Sequence, residues 1–216
     1  MKAMILAAGR GTRLAPLTDT TPKPMLPVRG KPLIEWQLAK LREAGFTDIV
    51  INLHHLGEQI EAFVGTGERF GVRAEYSREA SLLETGGGIV NALPLLGPEP
   101  FLVLNGDILT DFDFTALPQT LDPAVFAHLV LTPTPAQRCS GDFRLEGNRV
   151  IARGDDYVYC GIAMMRQSFF ATAPSGAFSW TVDHFFHHLG EWPVTAQVYD
   201  GAWVDIGSIE QYEALE

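Results

Sequence analysis

Four side chains, far apart in a chain of 216 residues, carry most of the chemistry this sequence can offer: Arg13, Lys23, Asp107 and Asp205. The two cations stand in Leu6–Val28, LAAGRGTRLAPLTDTTPKPMLPV, where Asp19 is the only acidic residue. Gly9 and Gly11 let a backbone come close to an anion and turn N–H groups toward it. Arg13 adds a guanidinium fork shaped for phosphate oxygens, and Pro22 and Pro24 stiffen the chain on either side of Lys23. The loop matches neither of the two common phosphate loops. A dinucleotide fingerprint needs glycine where Leu14 stands, and no Gly-Lys-Ser/Thr follows to make a P-loop. Taken singly, Gly9-x-Gly11 equally fits a strand–turn–helix junction with surface cations.

The aspartates sit far downstream. Asn105-Gly106-Asp107 closes the apolar run Pro100–Asn105, and Asp205 lies in Trp203-Val204-Asp205-Ile206-Gly207. Either one alone also reads as a turn with a solvated carboxylate. Together they could hold one Mg²⁺, an ion that prefers carboxylate oxygens and arrives with nucleoside triphosphates. A third stretch, Leu83-Glu84-Thr85-Gly86-Gly87-Gly88, could be a helix start capped by Thr85. Three glycines are costly there, which weighs toward contact with a nucleotide or sugar. Glu84 would face the base or the solvent.

Alternating elements are needed to bring these residues together. Met4–Ala8, Asp48–Leu53, Val72–Ser77 and Pro100–Asn105 read as strands. Between them, helices are expected after Pro32 as far as Gly45, over Gly57–Val64, and in Leu83–Leu93, where a loop runs into a helix. That alternation predicts an α/β fold, a doubly wound Rossmann-like mixed sheet, mostly parallel and flanked by helices. The second half is less regular. Ala127–Leu131, Arg149–Ala152, Tyr157–Met165, Thr195–Tyr199 and Ala202–Ile206 read as strands, some antiparallel. Phe178–Leu189 and Ser208–Leu215 read as helices, the latter capped by Ser208. The Pro-rich Thr132–Ala136 is the expected hinge, within one domain spanning 1–216. Its nucleotide-binding half covers about 1–110 and its sugar-phosphate half about 111–216.

Composition narrows the partners. A formal net charge of −10 argues against a general nucleic-acid binder, so an anionic ligand must be met by local cations, amides or a metal. The apolar run at the N-terminus, Ala3–Ala8, is too short for a signal peptide or a membrane span. Cys139 and Cys160 form no CxxC pair, and a soluble cytoplasmic protein without membrane partners is expected. No Gly-x-Ser-x-Gly elbow points to a serine hydrolase. His184 and His188 stand at i,i+4, but Phe185 occupies the position where a zinc-dependent peptidase carries glutamate, so they read as a partly exposed helix face. Cys160, in an apolar strand, reads as core.

GRGTRLAPLTDTTPKPMLPV resembles the opening motif of the sugar-1-phosphate nucleotidylyltransferases, G-x-G-x-R-L-x-P-L-T followed by P-K-P-x-L-P-V. The resemblance implies the nucleotide-diphospho-sugar transferase fold and transfer of a nucleoside monophosphate from an NTP to a sugar 1-phosphate with Mg²⁺. It implies that Leu6, Ala8, Gly9, Gly11, Thr12, Thr85 and Gly86 line the nucleotide. Arg13 would clamp the departing phosphates, and Lys23 would sit at the α-phosphate. Asp107 and Asp205 would be the metal ligands, in the family's G-D and W-x-D-x-G motifs. Asn105, Gly161 and Arg153 would serve the sugar phosphate. One motif departs from the pattern. Many members carry Glu-Lys-Pro before a strand beginning N-x-G-[IV], whereas here Tyr159 replaces the asparagine and no lysine occurs after Lys40. Arg153 or Arg144 would then meet the acceptor, although either also reads as an ordinary strand-edge arginine. ETGGG and the short chain resemble the members that join UTP to N-acetylmuramate 1-phosphate in cell-wall recycling. Mannose-1-phosphate and heptose-1-phosphate guanylyltransferases are the near alternatives. More distant rivals are a non-catalytic nucleotide-sugar sensor and a phosphocholine cytidylyltransferase. A monomer or small homo-oligomer is expected.

Overall fold

A computed structural model describes residues 1–136 and 138–215. Continuous apolar runs become the buried strands β1 (Ala3–Leu6), β4 (Asp48–Leu53) and β6 (Phe101–Asn105), as expected of strands covered on both faces. A hairpin of β2 (Pro27–Val28) and β3 (Lys31–Pro32) follows the glycine loop and its single turn α1 (Leu17–Thr20). Pro32 then caps α2 (Leu33–Glu43), where it needs no N–H of its own. Helix α3 (Gly57–Val64) leads to β5 (Arg73–Arg78), and α4 (Glu84–Leu96) leads to β6.

The second half adds β7 (Ile108–Thr110), β8 (Ala127–Pro133), β9 (Phe143–Glu146), β10 (Arg149–Met165), β11 (Val194–Val198) and β12 (Trp203–Asp205). It closes with α5 (Ile209–Glu213), whose N-cap Ser208 accepts from the Gln211 amide. The main sheet runs β11-β8-β10-β6-β1-β4-β5, with β9 paired to β10. Strands β6, β1, β4 and β5 are mutually parallel, and β10 runs antiparallel to both β6 and β8. The expected mixed, mostly parallel sheet is therefore present. Apolar clusters cover both of its faces, one around Ile5, Leu38, Ile51 and Leu104, the other around Met4, Val50, Phe101 and Phe169.

Three expectations are corrected. Arg149–Ala152 and Tyr157–Met165 form one strand, β10, which carries register shifts where a turn-like Gly154-Asp155-Asp156 interrupts the apolar pattern. Thr132 and Pro133 belong to β8 rather than to a hinge. Phe178–Leu189 is not an α-helix but a π turn over Trp180–His184 followed by a 3₁₀ turn over Phe185–His188. In it His184 is only 1% exposed and bonds the Phe169 carbonyl, so it is no surface residue. Trp180, His184 and Phe185, all buried, pack around Phe169 in one aromatic core.

Candidate active site

The carboxyl ends of β1, β4 and β6 face one crevice, where ligands sit in open α/β sheets. A cavity of about 400 Å³ lies there, walled by Leu6, Ala8, Gly9, Lys23, Thr85 and Asn105 among others. A second, of about 260 Å³, lies against Gly11, Thr12, Arg13 and Gly207. Gly9, Lys23 and Asp107 line both. Among the described residues, chain neighbours aside, no atom lies within 4 Å of where a Cβ on Gly9 would point, so the glycine leaves room in the cavity rather than serving packing. Gly11 adopts φ +63°, and a side chain there would also collide with Thr18, whose hydroxyl donates to the Gly11 carbonyl at 2.8 Å.

Lys23 is 9% exposed, and its ammonium meets the Asp107 carboxylate at 2.5 Å. Several contacts place that carboxylate. Gly106 packs so tightly on the end of β1 that a Cβ would overlap the Leu6 carbonyl oxygen. Gln37 of α2 donates to the carbonyls of Asn105 and Ile108, on either side of the turn. Strand β12 then pairs with β7, Asp205 opposite Ile108, and the Ile206 amide donates to the Asp107 carbonyl at 3.0 Å. The Trp203 indole ties β12 to the main sheet through the Cys160 carbonyl at 2.8 Å. One small sheet thus brings Asp205, at the end of β12, to the turn that carries Asp107, nearly a hundred residues earlier in the sequence.

Burial, and then the charge of Asp107, push the Asp205 carboxyl above its ordinary value, while Lys23, Arg13 and Arg138 pull it back. Arg13 makes no ion pair among the described residues, and a Cβ on Gly207 would stand 3.2 Å from its guanidinium. An acid with a raised native pKa binds more protons folded than unfolded, so its contribution to stability is present at low pH and lost as pH rises through the native value. With metal chelated, Asp205→Asn is therefore expected to melt higher than the parent chain at pH 7. The gap should close as pH falls toward 3.8, the ordinary value of the group. Melting temperature reads the gain, at roughly 2–4 °C for each 1 kcal/mol in a chain of this size. Equal melting temperatures at both pH values would contradict the shift.

The glycine triplet packs closely against other parts of the chain. Side chains at Gly86 and Gly87 would overlap the Phe178 ring and the Gly176 carbonyl, so these glycines seat the 176–178 segment. The Gly86 amide donates to the Phe178 carbonyl at 2.8 Å, and Gly86 does not line the 400 Å³ cavity. Thr85 and Glu84 do, with Glu84 held at φ +58° at the mouth. Gly88 makes way for a buried polar chain that sequence reading did not single out. The Ala7 amide donates to Asn52, the Asn52 amide to Glu79 at 2.7 Å, and Glu79 accepts from the Leu83 amide at 3.0 Å. This chain joins the start of the phosphate loop to the start of α4. A Cβ on Gly88 would come within 2.7 Å of Glu79 Oε1 and 2.8 Å of Asn52 Nδ2. With Asn52 2% and Glu79 6% exposed, neither side chain can swing away without losing its partners. Gly88→Ala gains about 1 kcal/mol of helix propensity but loses buried bonds worth about 1–3 kcal/mol each. Net destabilisation of about 2 kcal/mol is expected in urea titration, and a stabilised variant would rule the clash out.

Asn105 lines the first cavity, and its buried Oδ1 has no partner among the described residues. Gly161, at φ +77°, presses against Asn105, with 2.9 Å between its would-be Cβ and the Asn105 Cβ. Ser179, from the second half, closes the cavity. Arg153 stands apart. It lines a further cavity of about 420 Å³ with its guanidinium 4.2 Å above the Phe186 ring.

The sequence profile of the nucleotidyl transferase family matches residues 2–138. The chain belongs to the nucleotidyl transferase family. Among similar members, N-acetylmuramate alpha-1-phosphate uridylyltransferase of Neisseria meningitidis is 46% identical over 97% of this chain and 94% of its own length. A UTP–glucose-1-phosphate uridylyltransferase of Synechocystis is 43% identical, over 53% of this chain and 32% of its own. Two crystal structures share the fold of this nucleotidyl transferase. One, from Bacillus anthracis, is described provisionally as a glucose-1-phosphate thymidylyltransferase (TM-score 0.85, 24% identity, 100% of this chain and 93% of that one). The other is HddC of Yersinia pseudotuberculosis (TM-score 0.82, 22% identity, 99% and 97%). No helix among the described residues is long and apolar enough to cross a membrane.

Proposed function

We propose that this enzyme transfers UMP from UTP to N-acetylmuramate 1-phosphate, giving the nucleotide-sugar and pyrophosphate. The observation that carries this reading is the Lys23–Asp107 pair at the joint of two cavities, with the unpaired Arg13 fork beyond it. The similarity to the uridylyltransferase extends over 97% of the chain, while a mannose-1-phosphate guanyltransferase from Gibberella zeae reaches 54%. The free thiols Cys139 and Cys160 fit a reducing, cytoplasmic setting.

On this reading residues 1–110 hold the nucleotide and 111–216 the acceptor. Leu6, Ala8, Gly9, Gly11, Thr12 and Thr85 offer backbone and small side chains to UTP. Gly86 acts at one remove, by seating Phe178. Asn105 presents its unpartnered oxygen to a donor on the ligand, and Gly161 backs it. An acceptor phosphate oxygen forms a bond to the α-phosphorus. The bond from that phosphorus to the oxygen bridging to the β-phosphate breaks, and the oxygen leaves with pyrophosphate. The acceptor phosphate is already anionic at neutral pH, so no side chain has to remove a proton. Lys23 holds its charge at the α-phosphate and Arg13 at the departing end, and both act by alignment and neutralisation.

Asp107 and Asp205 fit a hard divalent cation. They offer carboxylate oxygens from the turn before β7 and from β12, which pairs with it, and Asp107 raises the proton affinity of Asp205, a crowding of negative charge that a cation relieves. No cluster of three or more acidic, His or Cys ligands occurs among the described residues, so water and substrate phosphates would complete the set. Mg²⁺ bound there would neutralise phosphate charge and help orient the leaving group.

Pyrophosphate release with UTP, GTP, CTP and dTTP against N-acetylmuramate 1-phosphate, mannose 1-phosphate and glucose 1-phosphate tests the reading. The highest kcat/KM is expected for UTP with N-acetylmuramate 1-phosphate, and only with a divalent cation present. A higher value for GTP with mannose 1-phosphate would move the assignment to a guanylyltransferase. No release from any pair would leave a nucleotide-sugar sensor.

A further inference from the structure

The 420 Å³ cavity adjoins the first without sharing a lining residue with it. Between them runs the Ser179–Thr181 segment. Ser179 lines one chamber and Thr181 the other, and their hydroxyls are 3.0 Å apart. A second wall is β10 itself, where Tyr159 borders the outer chamber and Gly161, two residues on, presses against Asn105 in the inner one. Two residues of strand advance about 7 Å, so a single sugar ring can reach from one chamber to the other.

The outer chamber has a defined polarity. Its two carboxylates are engaged with backbone, Asp142 accepting from the Tyr159 amide at 3.0 Å and Asp155 from the Gly141 amide at 3.2 Å. The Tyr159 hydroxyl is buried with no partner among the described residues. Arg153 is its one cation, and it forms no ion pair or hydrogen bond among the described residues; Arg144 beside it is paired with Asp156. The guanidinium packs over the Phe186 ring, and the N–H donors of its planar fork have no protein acceptor among the described residues. Such a fork matches an anionic planar group, and a carboxylate is the planar one.

An acceptor whose phosphate lies beside Lys23 and Asp107 puts its ring substituents, not its phosphate, in this outer chamber. We propose that Arg153 determines acceptor specificity by pairing with a carboxylate carried on the sugar ring, such as the lactyl carboxylate of N-acetylmuramate 1-phosphate. The inference rests on the acceptor reading above, and it removes Arg153 from the phosphate.

Two acceptors separate the possibilities, N-acetylmuramate 1-phosphate and N-acetylglucosamine 1-phosphate, which lacks the lactyl group but keeps the phosphate. Both are compared in the intact enzyme with UTP by turnover. Calorimetric binding gives a value for an acceptor that turns over poorly. Arg153→Ala is expected to weaken binding of N-acetylmuramate 1-phosphate about ten- to a hundredfold, mainly in KM, with less than a threefold change for N-acetylglucosamine 1-phosphate. Arg153→Lys should restore part of the loss, and the KM for UTP should not move. An equal loss with both acceptors would return Arg153 to the phosphate and overturn the proposal, as would no loss with either. A parent enzyme that fails to use N-acetylmuramate 1-phosphate at all would overturn the acceptor reading, and this inference with it.

Discussion

Lys23→Ala is expected to lower kcat by about a thousandfold while the KM for UTP changes by less than about tenfold. The ammonium is held by a rigid backbone, with Pro22 extended before it and Pro24 within the same 3₁₀ turn, and it is nearly withdrawn from water. Charge gathers on the oxygens of the α-phosphate as it is transferred, so a fixed cation there stabilises the transition state more than bound UTP. Loss of one preorganised neutral donor at such a centre costs about 10²–10³ in rate, and a full charge in a drier site should cost at least the upper figure. Arg13 cannot substitute, since it lines only the chamber beside Gly207 and not the 400 Å³ one that Lys23 also borders. Circular dichroism and melting curves should show the variant folded. Its melting temperature should fall, because Asp107 and Asp205 lose their nearest countercharge. Lys23→Arg should recover little, because a broad guanidinium fork cannot set one compact charge where the ammonium stands. Rates within tenfold of the parent for Lys23→Ala would remove the lysine from the reaction.

How much of this was readable beforehand varied with the physics of each segment. The boundaries of β4 and α3 coincide with their sequence patterns because one is a continuous apolar run and the other an amphipathic stretch closed by glycine. Strand β7 escaped notice. Three residues are too few to show a period, and its existence depends on β12, nearly a hundred positions away. Yet that pairing is what sets Asp107 beside Asp205, so the motifs revealed both aspartates and concealed the reason they meet. The glycine triplet held a second meaning that composition could not show. Phe178, Gly176 and Glu79 fill the space that side chains would need. No local signal marks those neighbours. Asn52 and Glu79 left a fainter trace, a polar residue within the apolar DIVINL and an acid just past a strand end. Only the three-dimensional chain from Ala7 to Leu83 gives them meaning.

Asp107→Asn should impair the enzyme as deeply as loss of Lys23, by a route that a metal titration can distinguish. Asparagine keeps the size and one carbonyl oxygen, so the Gly106 turn and the β7–β12 pairing should survive and the variant should stay folded. It removes the charge that pairs with Lys23 and half of the negative charge offered to a divalent cation. Magnesium is reluctant to shed water for neutral ligands. The concentration of Mg²⁺ giving half-maximal rate should therefore climb at least tenfold, and kcat/KM at a fixed low Mg²⁺ should drop by about two to four orders of magnitude. Lys23→Ala, by contrast, should leave that half-maximal concentration unchanged or lower it, because the ammonium no longer competes for the Asp107 carboxylate. Chelation should silence the parent enzyme, and added Mg²⁺ should restore it. Had Asp107 served only to hold Lys23 in place, the two variants would share one metal dependence. Identical Mg²⁺ curves for both would reduce the aspartate to a positioning residue, whereas opposite displacements would assign the carboxylate to the cation and the ammonium to the α-phosphate.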